Sequence, residues 1–309
     1  MFYPRLMSIL FFLACAVLAA DVTRADNSYL NAEDDETFER LMTGKGSRIY
    51  DSVDDNRHQF EVGTQISRIA YREPGAGMSS KGMAYGLFGV YNYRMPGEYL
   101  AARILNVYHL DLNFDFGQME YTGSGRVDNI VDVIIEPRIW VGKDFVFAQD
   151  SRCTPYVGLG YRYLMDNFGG KITSTGHYGY DRRSQYLYIP AGIEWTLVPA
   201  YGWELKLNGE YDLFLHGWQT SYIHQVPTGT PGETYPDLDN DQTRGYGLRG
   251  SVDLIKKGDK MNYVVSPYVR YWNIRQSRVQ TASNQFGTIE GYEPANTSLA
   301  IGARLGVQF

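Results

Sequence analysis

The chain has 309 residues, with 29 Lys or Arg and 35 Asp or Glu, which gives a formal net charge of −6 at pH 7. An acidic chain without a basic stripe cannot neutralise phosphates along a nucleic acid, so we expect no nucleic-acid partner. The composition includes 26 Tyr and 33 Gly. After residue 20 no apolar run approaches the roughly 18 residues that a membrane-spanning helix requires.

The first twenty residues, MFYPRLMSILFFLACAVLAA, place one basic residue, Arg5, before a short apolar run that ends in small residues. This order is typical of a secretory signal peptide, and cleavage after Ala19 or Ala25 would satisfy the small-x-small rule. A membrane anchor is the alternative interpretation, although the run is at the short end for spanning a bilayer. We therefore predict that residues 1–25 are a signal peptide and that the chain is exported.

Residues 26–57 are acidic and differ in pattern from the rest of the chain. The stretch NAEDDETFERLMTGKG offers Asn31 as an N-cap, acids in the first turn and glycine at the end, which predicts a short helix. Removal of the signal peptide would leave Cys153 alone, so we expect no internal disulfide.

From Gln59 onward the apolar residues recur at every second position, which predicts β-strands. The clearest run is VDVIIEPRIWV (131–141), in which aliphatic side chains take one face and charged side chains the other. In the first strand Ile66 and Ile69 fall on opposite faces, so we predict a bulge near Ser67. Ten strands are predicted, near residues 59–72, 81–95, 101–121, 129–143, 153–166, 184–198, 201–216, 244–257, 261–275 and 297–309.

The links between these strands differ in length. Those after strands two, six and eight are tight (MPGE, PAY and KKGDK), whereas those after strands five, seven and nine are long and rich in Gly, Asn, Asp, Thr and Pro. Short turns at one end and long loops at the other are typical of strands that run up and down through a bilayer. The sequence therefore predicts an all-β transmembrane antiparallel up-and-down β-barrel over 58–309, with short periplasmic turns and long extracellular loops. The 26–57 segment would be a periplasmic extension or a lid at the barrel mouth.

The polar faces of the strands carry charges that the core of a water-soluble sandwich could not hold. In a soluble sandwich, the alternative, they would form the solvated face. In a barrel they line the lumen, and their mixed sign favours ion pairs across it over a selective pore. The predicted lumen-lining residues are Asp111, Asp115, Asp132, Glu136, Arg138, Arg162, Glu194, Glu204, Lys206, Glu210, Asp212, Arg249, Asp253, Arg270 and Arg304.

Aromatic residues gather on the apolar faces near both ends of the strands, as membrane interfaces select. Near the short-turn ends lie Tyr91, Tyr93, Trp195, Trp203, Tyr263 and Phe309. Near the long-loop ends lie Tyr163, Tyr246 and Tyr271.

The final stretch, SLAIGARLGVQF, alternates apolar residues and ends on an aromatic. It resembles the C-terminal signature of Gram-negative outer-membrane β-barrel proteins. The resemblance implies that Leu305, Val307 and Phe309 address the chain to the barrel assembly machinery, and that outer-membrane lipids and lipopolysaccharide surround the inserted barrel. The subfamily is not identified by this motif.

Asp212 and His216 are the best candidates for catalysis, because even spacing places both on the inner face near a long loop. A ten-stranded barrel with such residues at its mouth is similar to the omptin proteases. The spacing of four differs from the Asp-x-His of that family, and Asp111 and Asp115 are likewise too widely spaced for its Asp pair. We assign no catalytic residue and interpret the pair as part of a polar network.

The loop sequence DLDND places Asp237, Asp239 and Asp241 at alternate positions, a pattern compatible with calcium. Gln242 and Leu248 occupy the places where an EF-hand loop requires Gly and a bidentate Glu, so a solvated acidic loop is the better interpretation. No metal, cofactor or nucleophile motif is found in the sequence.

The predicted function is that of a non-enzymatic barrel in the cell outer membrane, structural or surface-exposed, with at most a narrow pore, because barrels of about ten strands leave little free lumen. The first alternative is a surface adhesin or binding protein that acts through its long loops, 167–183, 217–243 and 277–296. The second alternative is an outer-membrane hydrolase.

Overall fold

The computed structural model describes residues 57–96, 99–148, 150–200 and 202–309. The predicted signal peptide and nearly all of the predicted 26–57 extension lie outside the described residues, so both stay predictions. None of the helices in the described ranges is long and apolar enough to cross a bilayer.

Ten long antiparallel strands form a closed barrel. In chain order the strands, together with four short ones, are β1 (His58–Glu73), β2 (Met78–Arg94), β3 (Val107–Thr122), β4 (Arg126–Gly142), β5 (Phe145–Ala148), β6 (Ser151–Asn167), β7 (Arg182–Ala200), β8 (Trp203–Ser221), β9 (Leu238–Gln242), β10 (Gly245–Lys256), β11 (Asn262–Ile274), β12 (Gln280–Asn284), β13 (Gly287–Gly291) and β14 (Asn296–Gln308). The ring runs β1-β2-β3-β4-β6-β7-β8-β10-β11-β14 and returns to β1.

The seam between β1 and β14 closes the barrel. The two strands pair from Glu61↔Gln308 to Arg72↔Thr297 without a break. Phe60 and Phe309 extend this ladder, because each backbone N–H donates to the other's carbonyl oxygen, at 2.8 and 2.9 Å. Within the described ranges, closure leaves no long strand with an unpaired edge. A bilayer requires this, since lipid cannot satisfy backbone groups.

The prediction of a ten-stranded antiparallel barrel is confirmed, and each predicted strand overlaps one of the ten long strands. The predicted third strand began too early, because a 3₁₀ turn at Leu100–Arg103 precedes β3. Four short strands in the links, β5, β9, β12 and β13, were not predicted. They are four or five residues long, too short to show a clear alternation.

The predicted bulge near Ser67 is wrong, because β1 pairs in continuous register with both of its neighbours. Ile69 therefore points inward, where it packs with Ala84, Met119 and Ile134 in a buried apolar cluster. The part of the lumen around Ile69 is itself apolar. An apolar side chain can therefore point inward there without a bulge in the strand. Irregular pairing occurs elsewhere, at the β3–β4 and β7–β8 ladders.

The long loops, 168–181, 222–244 and 275–295, lie at the end of the barrel opposite Phe309. The links 74–77 and 123–125 are at that same end and are short. At the other end, the β2–β3 link is longer than its MPGE turn suggested. The later strands thus have their long loops at the extracellular end, as predicted. The first four strands have short links at that end, which was not predicted.

The outer wall is apolar between two aromatic rims. Leu87, Leu112 and Ile139 are each at least 50% exposed, although aliphatic side chains belong to the core of a soluble protein. At the short-turn end, Phe60, Tyr91, Tyr93 and Phe309 form the first rim, with ring centroids 4.8 Å apart for Phe60 and Tyr91. At the long-loop end, Tyr211, Tyr246 and Tyr271 form part of the second rim, where the rings of Tyr211 and Tyr246 stack and that of Tyr271 is tilted against Tyr246.

Candidate functional site

The inner wall of the barrel carries the predicted lumen-lining charges, because each occupies the inward-facing set of alternate positions on its strand. Many of them surround a cavity of about 110 Å³. A second cavity of about 20 Å³ lies beside Glu136, Arg162 and Trp272. The larger cavity is enough for a few water molecules and far smaller than the aqueous channel of a porin.

Arg249 on β10 is the centre of the charge network. Its Nε donates to Asp212 Oδ2 at 2.7 Å and lies 3.2 Å from Glu210 Oε1. Its Nη1 donates to Glu136 Oε2 at 3.2 Å. The guanidinium also lies over the ring of Trp272, 5.6 Å from its centroid. A planar guanidinium suits this task, since its fork of donors engages several carboxylates at once.

A second group of charges links β14 with β3 and β4. Arg304 Nε donates to Gln65 Oε1 at 3.0 Å, and its Nη2 lies 3.6 Å from Asp111 Oδ1. Arg138 donates to the other oxygen of Asp111 at 3.3 Å and to Glu210. Through Glu210 this group joins the Arg249 network, so the two cross most of the lumen.

The periplasmic end is closed by a cluster around Asp144, in the turn between β4 and β5. Asp144 lies 3.2 Å from Arg94 and 3.6 Å from Arg152, and it accepts a hydrogen bond from Thr154 Oγ1 at 2.5 Å. Burial by itself would raise the pKa of the Asp144 carboxyl, but Arg152 and Arg94 together lower it. The carboxylate is therefore held in its charged form.

The extracellular end is closed by two layers. The apolar cluster that contains Ile69 and Phe168 lies below. Above it, Arg182 at the start of β7 donates to Glu73 Oε1 at 2.9 Å and to Glu293. Glu73 ends β1, which is directly opposite β7 in the ring, so this contact spans the barrel. We call Glu73, Arg182 and Glu293 the mouth cluster.

Burial raises the pKa of the Glu293 carboxyl to about 7, with Arg182 lowering it and the nearby Glu73 raising it further. Arg182 offsets the effect of burial only in part, because one guanidinium serves two buried carboxylates. A single positive charge cannot compensate both.

Sequence reasoning missed the mouth cluster and the Asp144 cluster. Alternation alone could have found Arg152, which shares inward parity with Arg162 on β6, and Arg94, which shares it with Asn92 on β2. Glu293 lies in a loop that has no such period, so its burial follows from tertiary packing.

The structure separates the two candidate catalytic residues. Asp212 is fully buried on the inner face of β8. A register shift in the β7–β8 ladder, where Tyr188 pairs with Phe214 and Leu187 with His216, turns His216 outward. His216 contacts Asp241, with Nε2 and Oδ1 3.0 Å apart, and lies beside the exposed Trp218. The two side chains therefore do not form a catalytic pair.

The acidic loop does not gather its carboxylates around a common point. Asp237 accepts from His224, Asp239 accepts from Thr220 Oγ1 at 2.6 Å, and Asp241 contacts His216. Across the described ranges, no group of three or more His, Cys, Asp or Glu side chains is arranged to hold a metal ion.

No family model matches the chain, and no curated protein matches it in sequence. Among solved structures, it is similar to the outer membrane protease OmpT from Escherichia coli, with a TM-score of 0.54 and 10% identity over 82% of this chain and 95% of that one. The translocator domain of autotransporter NalP from Neisseria meningitidis matches with a TM-score of 0.40 and 11% identity, over 90% of this chain and 96% of that one. The Pseudomonas putida toluene transporter TodX matches with a TM-score of 0.38 and 10% identity, over 87% of this chain and 93% of that one.

The chain folds as an outer-membrane β-barrel. The closed ring, the apolar outer wall and the two aromatic rims place this barrel in the outer membrane, where its lipid-facing surface is buried. At 10% identity the likeness to the protease concerns the fold, so it does not decide whether the barrel is an enzyme.

Proposed function

We propose that this barrel is a non-enzymatic, sealed outer-membrane protein that is exposed at the cell surface. The observation that carries the proposal is the filled lumen. Charged networks around Arg249 and Asp144, an apolar cluster and the mouth cluster occupy it from one end to the other. A path for ions would have to break several buried ion pairs at once.

Planar-bilayer recording tests the sealed lumen. The refolded barrel should give no steady conductance steps, while a known porin reconstituted by the same protocol gives them. Stable, reproducible steps from the purified protein would contradict the proposal.

The non-enzymatic part is supported by the placement of Asp212 and His216 on opposite sides of the wall. Purified barrel incubated with casein or with fluorogenic peptides should release no product above a buffer control. Turnover that disappears in an Asp212→Asn variant would show that the barrel is an enzyme.

A second candidate function, binding through the extracellular loops, is favoured by exposed apolar side chains on all three long loops. They are Ile172, Tyr178, Tyr235, Val279, Phe286 and Tyr292, each at least 37% exposed. Exposed apolar groups gathered at one end of a protein are typical of interaction sites.

Adhesion of intact cells to fibronectin, collagen and laminin tests this candidate. Cells that display the barrel should adhere, and Tyr178→Ser/Phe286→Ser/Tyr292→Ser should reduce adhesion severalfold. Tyr99→Ser, an exposed aromatic at the periplasmic end, serves as the control. Equal adhesion with and without the three loop changes would exclude these side chains as the contact surface.

A further inference from the structure

Three cations stand together on the lipid-facing wall of β1 and β2. Arg68 and Arg72 point outward from β1 and are exposed. Lys81 on β2 pairs with Ala70, which lies between the two arginines on the same face. Diagonal neighbours on one face of a sheet are about 7–8 Å apart, so Lys81 lies at that distance from each arginine, while the two arginines are about 14 Å apart along β1. We call Arg68, Arg72 and Lys81 the basic triangle.

The charges of the basic triangle are largely uncompensated within the protein. Among the described residues, neither Arg68 nor Arg72 makes an ion pair or a side-chain hydrogen bond. Lys81 lies 3.9 Å from Glu120, with both side chains about half exposed, and Glu120 also faces Arg126 at 3.8 Å. Exposed pairs of this kind are weak.

The height of the triangle follows from the strand geometry. Phe60 lies in the periplasmic aromatic rim on the same face of β1. A strand that rises about 3.4 Å per residue and tilts by about 40° carries Arg68 roughly 20 Å, and Arg72 roughly 30 Å, above Phe60. The apolar band of such barrels is about 25 Å tall, so the two arginines lie at its outer edge.

The pairing of the sheet also connects the basic triangle to the outer aromatic rim. One row of paired residues runs from Tyr271 through Leu299 and Ala70 to Lys81. Tyr271 belongs to the outer aromatic rim, so the basic triangle lies in the row of that rim. Phosphate groups of lipids occupy this level of a membrane, directly above the acyl chains.

We propose that the basic triangle binds the phosphorylated headgroup of an outer-leaflet glycolipid. Arg68 and Arg72 donate to the phosphate oxygens from one strand while Lys81 adds a third charge from the next. Beside and below Arg68, the side chains of Ile66, Met83 and Ile301 present an apolar surface to the acyl chains. Arginine suits this contact, since its planar fork binds a phosphate through two donors.

Native mass spectrometry of the detergent-purified barrel with bisphosphorylated lipid A tests the proposal. The wild type should retain lipid A, and Arg68→Gln/Arg72→Gln/Lys81→Gln should weaken its binding by about 100-fold, because each cation near a membrane surface contributes about a factor of five. Arg68→Lys/Arg72→Lys keeps the charge and should retain most of the binding.

The matched control is Lys171→Gln/Lys256→Gln/Lys260→Gln, which removes the same charge from surface cations that share no partner with the basic triangle. It should bind lipid A like the wild type, and an equal loss of binding would reduce the effect to net charge. Heat-dependent mobility of each variant on a gel shows that the barrel is folded.

Two further ligands separate the source of the phosphate. Lipid A stripped of its phosphates should bind at least tenfold more weakly than the intact lipid. Inorganic phosphate at millimolar concentration should not displace lipid A. Displacement by phosphate, or undiminished binding of the stripped lipid, would overturn the assignment to a glycolipid headgroup.

Discussion

Arg249 is the residue on which the inner charges depend most. It engages Glu136 from β4 and both Glu210 and Asp212 from β8, and all four side chains are buried. Removal of one partner from a buried ionic network leaves the others desolvated and uncompensated, which costs more than the network contributes relative to apolar packing.

Arg249→Met removes the charge and keeps most of the side-chain volume. It should therefore lower the free energy of unfolding by about 3–5 kcal/mol, because the carboxylates stay buried without their partner. Urea-induced unfolding in detergent, followed by tryptophan fluorescence, measures the change. The control is Arg126→Met, at a cation that is 63% exposed and whose ion pairs are screened by solvent, so its loss should change the stability far less. Similar losses at the two positions would contradict the central role of Arg249.

Single residues also show where prediction from the sequence stops. Alternation places Asp212 on the inner face, where the structure has it. The same alternation places His216 beside it, and a single irregular step in the β7–β8 ladder moves His216 to the outer face. A register shift leaves no mark in the apolar pattern, because Leu213, Phe214 and Leu215 are all apolar where it occurs.

At the scale of the strand, β8 shows how the lipid sets the cost of a charge. Trp203 lies at the periplasmic rim and Leu207 four residues further along the same outward face. That separation raises Leu207 by about 10 Å, close to the middle of an apolar band about 25 Å tall.

Leu207→Arg should cost about 2–4 kcal/mol of unfolding free energy, and Trp203→Arg about 0–1 kcal/mol from the charge itself. Reversible unfolding in phospholipid vesicles measures both. An arginine introduced on the inner face would not be a suitable control, because side chains already fill the lumen. Equal costs at the two depths would mean that the outer wall of β8 does not face a bilayer.

The strand β14 carries the residues that the resemblance implies as an assembly signal. Phe309 also pairs with Phe60 in the folded barrel, with ring centroids 6.3 Å apart. Loss of one lipid-facing aromatic from the folded state should cost about 1.5–3 kcal/mol, which a closed barrel can tolerate.

Deletion of Phe309 should strongly reduce the amount of barrel in the outer-membrane fraction of cells and leave refolding into detergent largely intact. Quantitative blots of membrane fractions and gel mobility of the refolded chain measure the two effects. Phe60→Ala, which removes the facing ring, is the control and should reach the membrane normally. Normal outer-membrane levels after the deletion would show that Phe309 is an ordinary rim residue.

Strands were predictable because an outer wall in lipid and a charged lumen impose a period of two over 12 to 19 residues. The apolar cluster of the lumen was not, since an inward Ile69 looks identical in sequence to an outward one. Likewise β12 and β13 pair only with each other and consist largely of polar residues, so their position depends on loop packing.

At the scale of the whole molecule, the mouth cluster joins β1, β7 and the segment before β14. Because the pKa of Glu293 is raised from 4.5 to about 7, folding favours its protonated form. The corresponding stability is fully present below about pH 4.5 and is lost as the pH rises through 7.

Between pH 5 and pH 8 the wild type should therefore lose on the order of 1–3 kcal/mol more stability than Glu293→Gln, which stays neutral. Apparent unfolding temperatures in detergent at the two pH values measure the difference. Glu290→Gln, an exposed position on β13, should follow the wild type. A pH response that is identical in all three proteins would contradict the role of Glu293.

The seam between β1 and β14 has a consequence for the kinetics of folding. The two strands whose pairing closes the ring are the first and the last that the structure describes, so their contacts have the largest sequence separation in the barrel. Contacts of this kind form slowly, because the chain must lose the entropy of a very long loop before pairing compensates it. Until β14 has been synthesised and brought to β1, both strands expose unpaired edges and apolar faces that invite aggregation. The chain must therefore remain unfolded and protected after synthesis, and closure of the ring is expected to be a late step of its assembly.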